Sequence, residues 1–322
     1  MHKSSTLLAL ALFCATTCSA PAFAQNTATA TAPAATTAVA PNPEFENALS
    51  AYYKGQWQEA SDLFGKILQR DPRDSMALDY WIYSYYKRND LHTVLYEVEQ
   101  KAVATDNKDA VALAHLGFGY MARSMREPQF LDEAQKVFEK ALEIDKNLSI
   151  AHTGLGLVYY ERRMMPRAKG HFVAALRDNP NDLMALERLG DITMVDEKRP
   201  QQALEFFEQL QQRAPDYPDG YWYVGSAYYD MQQYEKTLSN LQKCEELDPN
   251  GYTQGYHAPM LMGKTYLKMK DYDDAKKSFQ RALQLNPNNP EAKYYLEHAA
   301  QEGAPAPAPS NDGGDTNKKK KK

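Results

Sequence analysis

Histidine, cysteine and closely spaced glycines are the residues of this chain from which a reaction could be built, and their spacing does not assemble one. The seven histidines are scattered, and none stands in the His-Glu-x-x-His arrangement that puts two imidazoles and a base on one helix face. His115 and His152 fall at nearly equivalent places in neighbouring helical stretches. A metal shared by these two is the one arrangement to weigh, but no carboxylate or thiol is placed beside them to complete a ligand set. Gly117-x-Gly119 and Gly154-x-Gly156 look like fragments of a phosphate-cradling loop. Such a loop follows a strand and opens a helix, whereas both pairs lie inside helical periodicity. A Gly-x-Ser-x-Gly elbow is missing from the sequence, so the exposed serine nucleophile of that motif has no seat. Of the three cysteines, Cys14 and Cys18 fall in the first 24 residues. Cys244 takes a small-residue position facing a partner helix, which reads as a buried, inert side chain. Asn147-Leu148-Ser149 is a glycosylation sequon wherever secreted proteins are glycosylated. We expect no catalytic residue, no metal and no cofactor.

The elements that would position any site are more legible. Small residues recur about every 34 positions at Ala48, Gly117, Gly156, Gly190, Gly225 and Gly263. A second small residue follows at Ala60, Ala134, Ala168, Ala203 and Ala275. Four residues on stands Phe64, Phe138, Phe172, Phe207 or Phe279, and three further Ile67, Ala141, Ala175, Leu210 or Ala282. Positions i, i+4 and i+7 share one helix face. A glycine inside a helix costs about 1 kcal/mol relative to alanine, so five at one repeat position imply a close helix crossing, with phenylalanine filling the wider gap. Most units end at proline (Pro72, Pro180, Pro215, Pro249 and Pro287), which drives the preceding residue out of the α region. Pro128, Pro166 and Pro200 fall near the starts of second helices, where a missing N–H does no harm.

On these residues the chain resembles the tetratricopeptide repeat. The fourth unit carries the resemblance best, with Leu155-Gly156, Tyr159, Ala168, Phe172, Ala175 and Pro180. The seventh follows with Gly263, Tyr266, Tyr272, Ala275, Phe279, Ala282 and Pro287. The resemblance implies an all-α fold, a right-handed αα-superhelix of seven helix pairs over residues 41–301. The units fall at 41–74, 75–109, 110–148, 149–182, 183–217, 218–251 and 256–289, with a polar capping helix at 290–301. Unit two departs from the pattern, carrying Ile82 and Val94 at small-residue positions and no closing proline. Unit three has an extra loop from Met125 to Phe130, and Tyr252 to Gly255 is inserted before unit seven.

The ends have their own signals. Lys3, the apolar run Thr6 to Ala15, and Ala22-Phe23-Ala24 before Gln25 form the pattern of a secretory signal peptide over residues 1–24. A lipid attached at Cys14 or Cys18 is the alternative, with Phe13 and Thr17 standing where small residues are expected. Residues 25–40 are Ala/Thr/Pro-rich and read as a disordered linker, and residues 302–322 as a disordered tail. The run Lys318 to Lys322 is either a solvated tail or a weak contact for an anionic envelope surface. The net charge of −5 therefore hides a more acidic body, masked by Lys3 and the five terminal lysines. That argues against a nucleic-acid partner. With no apolar run long enough to span a bilayer, the expected location is periplasmic or secreted.

The resemblance also implies a concave groove lined by the first helix of each unit. Counted by family positions, the groove side holds Phe45, Leu49, Tyr52 and Tyr53, then Met76, Tyr83 and Tyr86. Phe118 and Met121 follow, then Ile150, Leu157 and Tyr160. The second half turns polar, with Glu187, Asp191, Asp219, Trp222, Tyr229 and Asp230, then Lys264 and Lys268. The candidate protein-binding residues are Phe45, Leu49, Tyr83, Tyr86, Phe118, Tyr160 and Trp222, since aromatic side chains pair an apolar body with a polar tip. Phe45, Leu49 and Tyr80 stand where relatives that clasp a C-terminal carboxylate carry Lys and Asn, so no such clamp is expected. The leading function is a non-catalytic scaffold of the cell envelope that binds a peptide or protein segment. The alternatives are a holdase-type periplasmic chaperone, and an accessory protein of envelope polysaccharide synthesis or export with Trp222 and the acidic residues near Glu187 as a sugar platform.

Overall fold

A computed structural model describes residues 43–251 and 255–302. The expected signal peptide, the 25–40 linker, the lysine run and most of the insertion before unit seven lie outside the described residues. Among the described residues fifteen α-helices follow one another: α1 (Pro43–Tyr53), α2 (Trp57–Arg70), α3 (Ser75–Lys87), α4 (Leu91–Ala104), α5 (Ala110–Ser124), α6 (Phe130–Ile144), α7 (Ser149–Glu161), α8 (Met165–Asp178), α9 (Leu183–Asp191), α10 (Pro200–Arg213), α11 (Pro218–Asp230), α12 (Tyr234–Leu247), α13 (His257–Met269), α14 (Tyr272–Leu285) and α15 (Pro290–Glu302). They pack as seven antiparallel pairs with α15 closing the end, an all-α tetratricopeptide-type superhelix.

Small-against-large packing holds each pair. A β-carbon added to Gly117 or Gly156 would meet the ring of Phe138 or Phe172 at 2.5 Å, and one on Gly263 would meet Phe279 at 2.6 Å. The five phenylalanines are fully buried. In the sixth pair Leu241 replaces phenylalanine, and Gly225 is less tightly approached, at 3.0 Å. The second pair departs from the scheme: Ile82 is buried on its first helix and Val94 and Val98 on its second, and Val98 packs toward Gly119 of the next pair. Without a glycine at the crossing, α3 and α4 approach each other less closely than the helices of the other pairs.

Each phenylalanine also reaches the next pair. Tyr80, Tyr223 and Tyr295 lie sixteen residues after Phe64, Phe207 and Phe279, and each stacks on its phenylalanine with centroids at 5.3, 4.7 and 5.4 Å. Tyr295 belongs to α15, so the cap docks as the first helix of a further pair would. At the same offset Phe138 meets Gly154, and Phe172 leads to Arg188.

The turns follow from local chemistry. Asp71, Asn179, Ala214, Asp248 and Asn286 precede prolines, and all have left the α region, with ψ between 68° and 92°. Pair two lacks the proline and instead turns through Asp106 and Asn107 at φ 53° and 54°. Between the two helices of six pairs one residue takes a positive φ: Gly55, Asn89, Arg163, Lys198, Gln232 and Lys270. A turn of π-helix, Ile192–Asp196, extends α9.

The superhelix winds tightly enough to meet itself. Helices α3, α5, α7 and α9 contact in sequence, and α9 returns to contact α3. At their N-terminal ends the Ser75 hydroxyl donates to Asp182 Oδ1 at 2.8 Å, across 107 residues of chain. The Thr153 hydroxyl donates to Asp182 Oδ2 at 2.7 Å. Asp182 also accepts from the Ala185 amide and so caps α9.

Candidate functional site

The inner face is where the first helices place their side chains, and its two ends differ. The N-terminal end is sealed around Asp182. There His115 Nε2 lies 2.6 Å from the Pro72 carbonyl and is buried, with its pKa lowered by loss of water. Farther in, a polar cluster fills what an open superhelix would leave as a groove. The Tyr217 hydroxyl lies 2.5 Å from Glu187 Oε2 and 3.1 Å from Asp219 Oδ2. It carries one proton, which serves the nearer Glu187. The Tyr223 hydroxyl donates to Glu187 Oε1 at 3.3 Å, and the Arg188 guanidinium lies 3.3 Å from the same oxygen. Tyr53 and Tyr80 share a hydrogen bond of 2.8 Å, and the ring of Tyr80 meets that of Tyr217 edge-on at 6.4 Å. Burial raises the phenol pKa of Tyr53, Tyr80, Tyr217 and Tyr223 well above the ordinary value. Asp79, one turn into α3, is pushed up to about 7 by burial, with Glu187 adding to the shift and Arg188 opposing it.

The C-terminal end of the same helices is more open. Tyr83 and Tyr86 at the end of α3 are half-buried, with their rings 5.9 Å apart. The Tyr83 hydroxyl donates weakly to Met125 Sδ, and the Arg126 guanidinium stands 5.1 Å from the Tyr86 ring. At the end of α7 the half-buried Tyr160 donates to Asp191 and lies under the Arg188 guanidinium, 5.6 Å away. Glu161 and Asp196 nearby have raised pKa values, burial being the main cause. Trp222 on α11 is half-buried, and its indole N–H is buried without a partner.

Of the seven candidate residues, Tyr83, Tyr86 and Tyr160 are thus on the inner face at the C-terminal ends of their helices, and Trp222 packs among Tyr223 and Leu238. Phe45, Leu49 and Phe118 are corrected: they are buried at 5%, 0% and 3% exposure. Phe45 packs edge-on to Phe64, and Phe118 edge-on to Phe138. The inner helices are covered on several sides at once, so a position counted toward the groove can still be interior. Tyr52, Tyr53, Met76, Met121, Ile150, Leu157, Glu187 and Asp219 are buried for the same reason.

The chemistry weighed from sequence resolves simply. His152 pairs with His171, Nδ1 to Nδ1 at 3.2 Å, and its Nε2 lies 3.1 Å from the Lys146 carbonyl. Nε2 of His152 therefore carries the proton, and His171 donates to His152 Nδ1. Tyr159 stacks on His171, whose pKa burial and His152 both lower. Among the described residues no three His, Cys, Asp or Glu side chains gather as a metal would require. Cys244 is buried at 2%, and burial raises its thiol pKa well above the ordinary value, which keeps it a thiol. Among the described residues no helix is long and apolar enough to cross a membrane. Sequence reasoning missed the polar cluster. Its one available signal was the recurrence of Tyr, Tyr and Arg sixteen residues after the repeat phenylalanines.

The chain matches the tetratricopeptide repeat family over residues 153–218, 219–250 and 260–289. It is 23% identical over 145 residues to a UDP-N-acetylglucosamine–peptide N-acetylglucosaminyltransferase of Giardia intestinalis. That match covers 45% of this chain and only 10% of the enzyme. Among solved structures, PilF of Pseudomonas aeruginosa superposes with a TM-score of 0.54 at 21% identity, covering 71% of this chain and 98% of that one. YrrB, described as a tetratricopeptide protein with an unusual peptide-binding site, gives 0.48 at 22% identity, covering 62% and 97%. At these identities the likeness to solved structures is one of fold.

Proposed function

We propose that this chain, a tetratricopeptide repeat protein, is a non-catalytic protein–protein interaction scaffold that holds a peptide or protein segment at the C-terminal end of its inner helices. The observation that carries this reading is the half-buried group Tyr83, Tyr86 and Tyr160, framed by Met125, Arg126 and Asp191. Rings with a polar tip, a polarizable thioether and a guanidinium suit an interface that must be partly apolar and partly wet. Repeat arrays bind through an inner surface assembled from successive units, and these residues come from three successive pairs and the end of the first helix of a fourth. The pattern of residues 1–24 supports placing the scaffold in the periplasm or outside the cell.

In-cell photo-crosslinking from a probe at Tyr86 tests the reading, with Gln100 on the outer helix α4 as the control position. One dominant adduct absent from the control is the expected result and would identify the partner. A ladder of unrelated unfolded proteins would replace the scaffold with a holdase, and a blank at both positions would remove the inner face as a protein-binding site.

A further inference from the structure

The return of α9 onto α3 differs in kind from every other helix contact described above. The pairs are held by buried Gly–Phe and Phe–Tyr packing between neighbours in sequence. The return contact joins elements 107 residues apart, and no repeat adjacency holds it in place. It is made of the Ser75–Asp182 hydrogen bond, the Asp79 carboxyl facing Glu187 and Arg188 of α9, and beside them one edge-on contact of Tyr80 with Tyr217 at the start of α11. Asp79, Glu187 and Asp191 face the guanidinium of Arg188, whose Nε finds no hydrogen-bond partner, and the carboxyls of Asp182 and Asp219 are buried in the same region. Buried charges bring a desolvation penalty that their attraction offsets only in part. Polar contacts between non-adjacent parts of one chain resemble transient interfaces more than cores. A solenoid with nearest-neighbour packing is also compliant along its length, so the contact can part while every helix pair stays intact.

We propose that the α3–α9 contact is an autoinhibitory clasp: the array occupies its own inner face, and parting of the first two pairs from the fifth and sixth exposes Tyr53, Tyr80, Tyr217, Tyr223 and Glu187 as additional binding surface. This rests on the scaffold reading for its purpose but not for its test. In the closed state the partner meets only the Tyr83–Tyr86–Tyr160 end. In the open state it gains a tyrosine- and carboxylate-rich wall.

Thiol labelling under native conditions reads the opening directly. Ser75→Cys places a thiol in the contact, and Ser149→Cys places one at the equivalent first position of α7, which is equally buried and outside the clasp. Each variant is made in the full chain, and labelling by a maleimide is followed at the introduced cysteine by peptide mass. If the clasp opens on its own, the thiol at 75 labels at least ~10-fold faster than that at 149, and its rate stays nearly independent of urea well below the unfolding transition. Equal rates that rise together with urea would overturn the proposal, making the contact part of the global core. Should Ser75→Cys fail to fold, hydrogen exchange of the unmodified chain decides. Faster exchange in α3 and α9 than in α7 supports the clasp, and uniform protection overturns it. Neither readout needs the partner, so a clasp that fails leaves the scaffold reading standing, and a failed crosslink leaves the clasp standing.

Discussion

Phe172 occupies the space that a side chain on Gly156 would need: a β-carbon there would lie 2.5 Å from Cε1, 2.7 Å from Cδ1 and 2.9 Å from Cζ of the ring. The ring is fully buried and enclosed by its own pair, so it cannot swing aside. Gly156→Ala gains about 1 kcal/mol of helix propensity but overpacks a filled core, and the off-rotamer side chains and backbone shifts this forces cost about 1–3 kcal/mol. Against an immobile ring the cost falls at the upper end of that range, and urea denaturation should show a net loss approaching ~2 kcal/mol.

Gly170 is the matched opposite. It lies inside α8, is exposed, and an added β-carbon would meet nothing within 4 Å. Only propensity remains, so Gly170→Ala should stabilise the chain by about 0.5–1 kcal/mol in the same assay. A destabilised Gly170→Ala would mean that this face of α8 is covered by something other than solvent.

Gln232 holds the turn between α11 and α12 at φ 59°, with its side chain exposed. The left-handed conformation costs a non-glycine residue about 1–2 kcal/mol, and part of that is recovered by glycine after its larger chain entropy is counted. Gln232→Gly should therefore raise stability by about 0.5–1 kcal/mol. Gly55→Ala, at the equivalent turn with φ 74°, should lower it by a similar amount. Thermal melts of the two variants must move in opposite directions.

The helix pairs were legible because their packing rule is local and repeated. A glycine at one register, a phenylalanine four positions after the next small residue, and a proline at the end each have one physical cause, and five copies of each bring it out. The capping role of α15 was legible for the same reason. The faces of the inner helices were not. In α7 ten of thirteen residues are buried, including Thr153, Gly154 and Tyr159, so the helical period that marks one apolar face on a surface helix marks nothing when the helix is enclosed. Family positions then put Phe45, Leu49 and Phe118 at a groove, where the structure has them in the core. The clasp was farthest from view, because Ser75 and Asp182 obey no repeat rule and meet only through the accumulated twist of the two intervening pairs.

Asp79 makes the clasp region sensitive to pH, with a definite sign. Its carboxyl is faced by Glu187 and Arg188 of α9, by Tyr52 of α1 and by Tyr83 one turn along α3. Burial holds its pKa at about 7, whereas an unfolded aspartate titrates near ~3.9. Between those values the folded chain keeps a proton that the unfolded chain has released, so stability falls as pH rises through this window and levels off above it. Asp79→Asn fixes the neutral form and removes that slope. The difference in Tm between Asp79→Asn and the unmodified chain should therefore be more positive at pH 8 than at pH 5, by on the order of 2–6 °C for a chain of this size. Arg188 works against the effect, since the asparagine gives up its attraction, and this keeps the shift below the full titration. A Tm difference that is flat between pH 5 and 8 would place Asp79 in water and its carboxyl at an ordinary pKa. One that falls with pH would mean that the ionised form is stabilised by Arg188 more than burial penalises it.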